Sequence, residues 1–170
     1  VAAELAEIGR YPDGGGFILK DQIHAQFGVA HDCITLGNGS NDLLEIFARA
    51  FVSEKDSVVY SQHAFAVYAL VTQAINAEAI EVPAQGFSHD LEAMAAAIKD
   101  NTKLVFIANP NNPTGTWFEE AEFERFMQQV PSHVIVVLDE AYVEYFPENF
   151  NSLKSVSYTH LRAHETGRNL

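Results

Sequence analysis

Short apolar runs alternate along this chain with longer stretches whose apolar positions recur at helical spacing. The runs at 34–36, 57–61, 78–82, 103–108 and 134–138 read as strands. Residues 41–51, 65–75, 90–99 and 119–129 between them read as amphipathic helices. A further helix is expected around Lys20. The segments VFIA and VIVVL are apolar at consecutive positions, as strands buried on both faces should be. This alternation predicts an α/β fold, a largely parallel sheet with helices on both faces. Ligands of such sheets sit beyond the carboxyl ends of the strands. The polar motifs here follow Leu36, Ser61, Ala108 and Leu138, so four loops can converge on one pocket. Residues 155–170, SVSYTHLRAHETGRNL, break the pattern. They have no strand or helix period and turn basic, and read as a loop or as sequence foreign to the domain. The domain is therefore assigned to residues 1–154.

Composition narrows the partners. With 170 residues and 48% hydrophobic content, the chain can bury the core of one globular domain. A net charge of -13 argues against nucleic acid, which requires a basic face. The single cysteine, Cys33, allows no internal disulfide and fits a reducing compartment, so a cytoplasmic location is expected. No apolar run approaches the ~20 residues of a membrane span, and no membrane partner is expected. The seven histidines are scattered without ligand spacing, so no metal is expected. The chain begins at Val1 rather than a methionine, a first sign of a piece of a longer protein.

Five motifs could carry chemistry. Gly37, Asn38, Gly39, Ser40 and Asn41 join a predicted strand to a helix. Glycines allow close backbone approach, and free amides at a helix start attract phosphate; an ordinary helix cap explains the same residues. The stretch lacks the third glycine of a dinucleotide fingerprint and the Gly-Lys-Ser/Thr ending of a P-loop. NPNNPTG, from Asn109 to Gly115, is a turn stiffened by two prolines, and a peptide bond before either can be cis. A rigid turn accounts for the prolines but not for three asparagines. Asp139, Glu140, Ala141 and Tyr142 follow a buried strand. A carboxylate there needs a partner: a helix N-terminus, a base, a metal or a cationic ligand. Phe65 and Tyr68 stand three apart, as a core pair does, or as a ring stacked on a planar ligand does. Arg10, Tyr11, Pro12 and Asp13 form an extended segment ahead of the first helix.

Taken in order, RYPD, GNGSND, HAFAVY, NPNNPTG and DEAY resemble the histidinol-phosphate aminotransferase family of fold-type-I pyridoxal-phosphate enzymes. The resemblance runs from Arg10 to Tyr142 and fades near Lys154. It implies pyridoxal 5'-phosphate as cofactor, a small-molecule amino donor and a 2-oxo acid as substrates, and a homodimer. By the resemblance, Asp139 pairs with the protonated ring nitrogen of the cofactor, and Asn112 and Tyr142 bond its ring oxygen. Phe65 stacks on the ring, while Gly39, Ser40 and Asn41 hold the phosphate. Tyr11 reaches the phosphate of the partner subunit. The implied reaction is amino transfer between histidinol phosphate and 2-oxoglutarate in histidine biosynthesis.

The family's Schiff-base lysine, its phosphate-gripping arginine and its small C-terminal domain do not appear in this sequence. The resemblance therefore implies a truncated fragment that is itself inactive. An aromatic or broad-specificity aminotransferase, or a decarboxylase of a phosphorylated amino acid, shares the same motifs. A non-catalytic binding module on a doubly wound sheet is the reading from a different class.

Overall fold

The computed structural model describes Gly9, Tyr11, residues 13–145 and the backbone of Leu161–Ala163. The chain divides into two compact units, Val1–Leu36 and Gly37–Leu170.

In the first unit, helix α1 (Phe17–Phe27) starts at Gly16, whose φ of 58° is one that glycine tolerates best. The Asp13 carboxylate accepts the amide of Phe17 at 2.7 Å and that of Gly15 at 2.9 Å. These bonds, Phe17's first, hold Asp13 below the ordinary carboxylate range. The helix ends at Gly28, φ 71°, whose amide donates to the His24 carbonyl. A 3-10 turn follows at His31–Cys33. Residues 34–36, expected to be a strand, are not one. Ile34 is extended and buried, but its amide donates to the His31 carbonyl at 3.2 Å to close the turn. Among the described residues it joins no ladder.

The second unit is a single sheet with helices on both faces. Strands β1 (Ser57–Ser61), β2 (Glu78–Val82), β3 (Thr102–Ala108), β4 (Ile135–Asp139) and the short β5 (Leu161–Ala163) lie in the order β2-β1-β3-β4-β5, with every neighbouring pair parallel. The helices are α2 (Ser40–Phe51), α3 (Val67–Ala74), α4 (Leu91–Ala96) and α5 (Glu120–Met127). The expected strands at 57–61 and 78–82 match residue for residue. β5 falls where the sequence pattern gives no strand; Leu161, Arg162 and Ala163 pair with Val137, Leu138 and Asp139.

Strand alternation explains the doubly apolar runs. Val58, Tyr60, Leu104 and Phe106 point to one face, where they meet Leu44 and Ala48 of α2 and Tyr68 and Val71 of α3. Val59, Val105, Ile107 and Val136 point to the other and meet Met94 of α4 and Phe123 and Phe126 of α5. Among the described residues, no helix is long and apolar enough to cross a membrane.

Candidate functional site

Because β1, β3 and β4 are neighbours, the loops leaving their carboxyl ends lie side by side. Register places Ala108 opposite Asp139. Asp139 ends β4 and is only 4% exposed. Its Oδ2 accepts the Tyr68 hydroxyl at 2.9 Å, and its Oδ1 accepts the Ala141 amide at 3.1 Å. Tyr68 belongs to α3 and is fully buried. Its ring stacks on Phe106 with centroids 5.0 Å apart and planes 7° apart, and meets Phe65 edge-on at 5.9 Å. Burial first, then the charge of Asp139, pushes the Tyr68 pKa well above its ordinary value. The phenol therefore stays a neutral donor at neutral pH and fixes the rotamer of the carboxylate. The sequence pointed to Phe65 and Tyr68 as a pair. It gave no hint that they divide the work, one ring facing the pocket and one hydroxyl holding Asp139. A buried tyrosine needs a partner for its hydroxyl, and that need was the available signal.

A second group comes from the start of α2. Gly39 has φ 82° and ψ 174°, a backbone conformation that disfavours a side chain, and turns the chain into the helix at Ser40. Free amides and the helix dipole make such an end attractive to an anion. At Gly37 an added Cβ would come within 2.9 Å of the Leu43 side chain, which would have to shift to admit it.

The NPNNPTG loop explains its asparagines one by one. Both bonds Asn109–Pro110 and Asn112–Pro113 are cis. Asn109 is buried, and its amide group pairs across the loop with the backbone of Phe118, donating to the carbonyl and accepting from the amide, each at 3.1 Å. Asn111 donates to the His63 carbonyl at 3.1 Å and to Thr114 Oγ1 at 2.8 Å. Asn112 is left to face the pocket. Behind the loop, half-buried His89 lies with Nε2 2.9 Å from the Ala108 carbonyl. A carbonyl only accepts, so Nε2 carries the hydrogen. Burial lowers the pKa of this ring, against the opposing pull of that bond.

Ser40, Asn41, Phe65, Asn112, Asp139 and Tyr142 thus line one open cavity with Ala108, Pro110 and Ala141. Gly39, expected with them, does not line it: having no side chain, it serves as the turn that presents Ser40. Tyr11 belongs to the first unit and is 98% exposed. Among the described residues no lysine lines the cavity. Lys99 is paired with Glu78 at 2.6 Å, and Lys154 lies outside the described residues. Glu140, next to Asp139, is fully buried. A helix start, an apolar ring, an amide, a phenol and a fixed carboxylate together suit a planar ligand with an anionic group and a cationic ring atom. The donor set fits pyridoxal phosphate on these grounds.

The sequence from residue 6 to residue 166 matches the model of the aminotransferase class I and II family, and the chain belongs to that family. Among its relatives, histidinol-phosphate aminotransferase 2 of Pseudomonas fluorescens is 60% identical over 142 residues, 84% of this chain and 38% of the relative. Histidinol-phosphate aminotransferase 2 of Pasteurella multocida is 51% identical over 165 residues, 96% of this chain and 44% of the relative. The chain thus spans well under half the length of these relatives. The crystal structure of histidinol-phosphate aminotransferase from Sinorhizobium meliloti in complex with pyridoxal-5'-phosphate superposes with a TM-score of 0.88 at 28% identity, covering 96% of this chain and 45% of that one. The fold is accordingly that of the large domain of fold-type-I aminotransferases, in part.

Proposed function

We propose that this chain is the cofactor-holding part, residues 1–154, of a pyridoxal 5'-phosphate-dependent aminotransferase. In the whole enzyme it serves amino transfer between histidinol phosphate and 2-oxoglutarate in histidine biosynthesis. The observation that carries the reading is Asp139: a buried carboxylate, fixed by Tyr68, in the same cavity as the start of α2. The names of the relatives favour histidinol phosphate as amino donor. Pyridoxal phosphate supplies, when bound, an electron-accepting ring for the exchange of an amino group.

In this reading each side chain has a defined task. Asp139 holds a proton on the ring nitrogen by pairing with the resulting cation, and Tyr68 keeps Asp139 aimed. Ser40 and Asn41 receive the phosphate at the positive end of α2, with Gly39 giving the backbone its approach. Phe65 supports the flat face of the ring, and Asn112 and Tyr142 bond its oxygen. Tyr11 reaches the phosphate of a second copy, which makes the working enzyme a homodimer. Its place is the cytoplasm. The chain alone does not transfer amino groups, because the cavity offers no amine among its described lining residues to hold the cofactor covalently and move the substrate proton.

The test is a coupled assay on the full-length enzyme from the same gene, with histidinol phosphate, phenylalanine and phosphothreonine offered separately. Preference for histidinol phosphate, with release of glutamate from 2-oxoglutarate, is expected. Preference for phenylalanine identifies an aromatic aminotransferase instead. Carbon dioxide release from phosphothreonine identifies a decarboxylase.

A further inference from the structure

Three loops at the carboxyl edge of the sheet are joined by a chain of side-chain hydrogen bonds whose direction can be worked out. Asn111 is 3% exposed, and its two amide hydrogens go to the His63 carbonyl at 3.1 Å and to Thr114 Oγ1 at 2.8 Å. Thr116 Oγ1 lies 2.9 Å from the Phe87 carbonyl, which only accepts, so the Thr116 hydrogen goes there. The 2.9 Å contact between Thr114 Oγ1 and Thr116 Oγ1 must then be donated by Thr114. Every hydroxyl and amide hydrogen in the chain is used once, in a single direction. The circuit closes through space, because the His63 and Phe87 rings pack with centroids 5.7 Å apart.

The segments joined are the loop after β1, the loop after β2 and the loop after β3. His63 is held in the left-handed region at φ 58°, which a non-glycine residue adopts at a cost unless its surroundings fix it. Two residues beyond it, Phe65 lines the cavity; Asn112, beside Asn111, lines it too. None of the five residues of the circuit, Asn111, Thr114, Thr116, His63 and Phe87, lines the cavity itself.

We propose that Asn111, Thr114 and Thr116, with Phe87, form a clamp of positioning residues that sets Phe65 and Asn112, so that the ring-binding wall of the cavity is fixed from the loop after β2. The clamp is a property of the loops. Its service to a cofactor ring rests on the reading of the site given above.

The test is amide hydrogen exchange on the full chain, read at Ala64 and Ser88, whose amides donate to Ser61 and Gln85. Thr116→Val keeps the volume and removes the hydroxyl, and Thr116→Ser restores it. In Thr116→Val, exchange at both amides is expected to quicken by roughly tenfold, the effect of one lost hydrogen bond. Gln128, which caps the end of α5, should stay at its original rate, and Thr116→Ser should resemble the unmodified chain. Phe87→Ala, which opens the circuit at its ring contact without touching a buried group, should quicken Ala64 as well. Unchanged exchange at Ala64 in both Thr116→Val and Phe87→Ala overturns the clamp, whatever the chain binds. A parallel titration with pyridoxamine 5'-phosphate, followed by induced circular dichroism, separates the two ideas. If the unmodified chain gives a signal, Thr116→Val should weaken it several-fold, and an identical signal overturns the service to the ring. If the unmodified chain gives none while exchange responds, the clamp stands and the cofactor reading falls.

Discussion

Tyr68 donates to Asp139 Oδ2 at 2.9 Å across the interior, tying helix α3 to the end of strand β4 between residues 71 positions apart. The bond is charge-assisted and buried, the kind whose loss is felt. Tyr68→Phe keeps the ring against Phe106 and removes only the donor. It should destabilise the fold by about 1.5–3 kcal/mol in urea unfolding, with an unchanged dependence on urea. A shift too small to measure would mean that the hydroxyl does not hold the carboxylate.

His89 should make stability fall in mild acid. Burial depresses its folded pKa below the ordinary 6.5, so the unfolded chain binds the proton more readily. The stability it contributes is complete above 6.5 and is lost as pH drops through the depressed folded value. Its Nδ1 is buried without a hydrogen-bond partner, so a proton there meets no acceptor. The melting midpoint should decline as the pH falls below 6.5, and His89→Gln, which can still donate to Ala108, should flatten that decline. An equal slope in the variant would place the effect on another group.

Asn109 carries two bonds to the backbone of Phe118 inside the NPNNPTG loop. Asn109→Ala removes both in a buried place and should cost about 2–3 kcal/mol. Asn109→Asp keeps the acceptor but sets a carboxylate against the Phe118 carbonyl, and should rescue little. Chemical unfolding of the two variants checks this; full stability of Asn109→Asp would show that the donated bond contributes nothing.

Strands β1, β3 and β4 were legible because they are buried almost throughout and bounded by polar loops. Residues 57–61 show this: every position is buried. Residues 34–36 had the same short apolar look, but a local bond from Ile34 to His31 claimed the amide a ladder would use. Local pattern cannot reveal such competition. The candidate site was legible as motifs after strands, since parallel topology gathers those loops by itself. Its inner support was not. Tyr68 and Asp139 meet only once helix and strand are packed, and the three asparagines look alike until Asn109 and Asn111 are seen holding the loop and Asn112 facing the cavity.

In the proposed reading, Asp139 is the anionic partner of a bound pyridine ring. That role is open to an absorbance and circular dichroism titration of the chain with pyridoxal 5'-phosphate, comparing Asp139 with Asp139→Ala and Asp139→Glu. The lost ion pair should weaken saturable binding by about tenfold or more in the alanine variant, with the glutamate variant between the two. Equal affinity and an identical spectrum for Asp139→Ala would contradict the role given to that carboxylate.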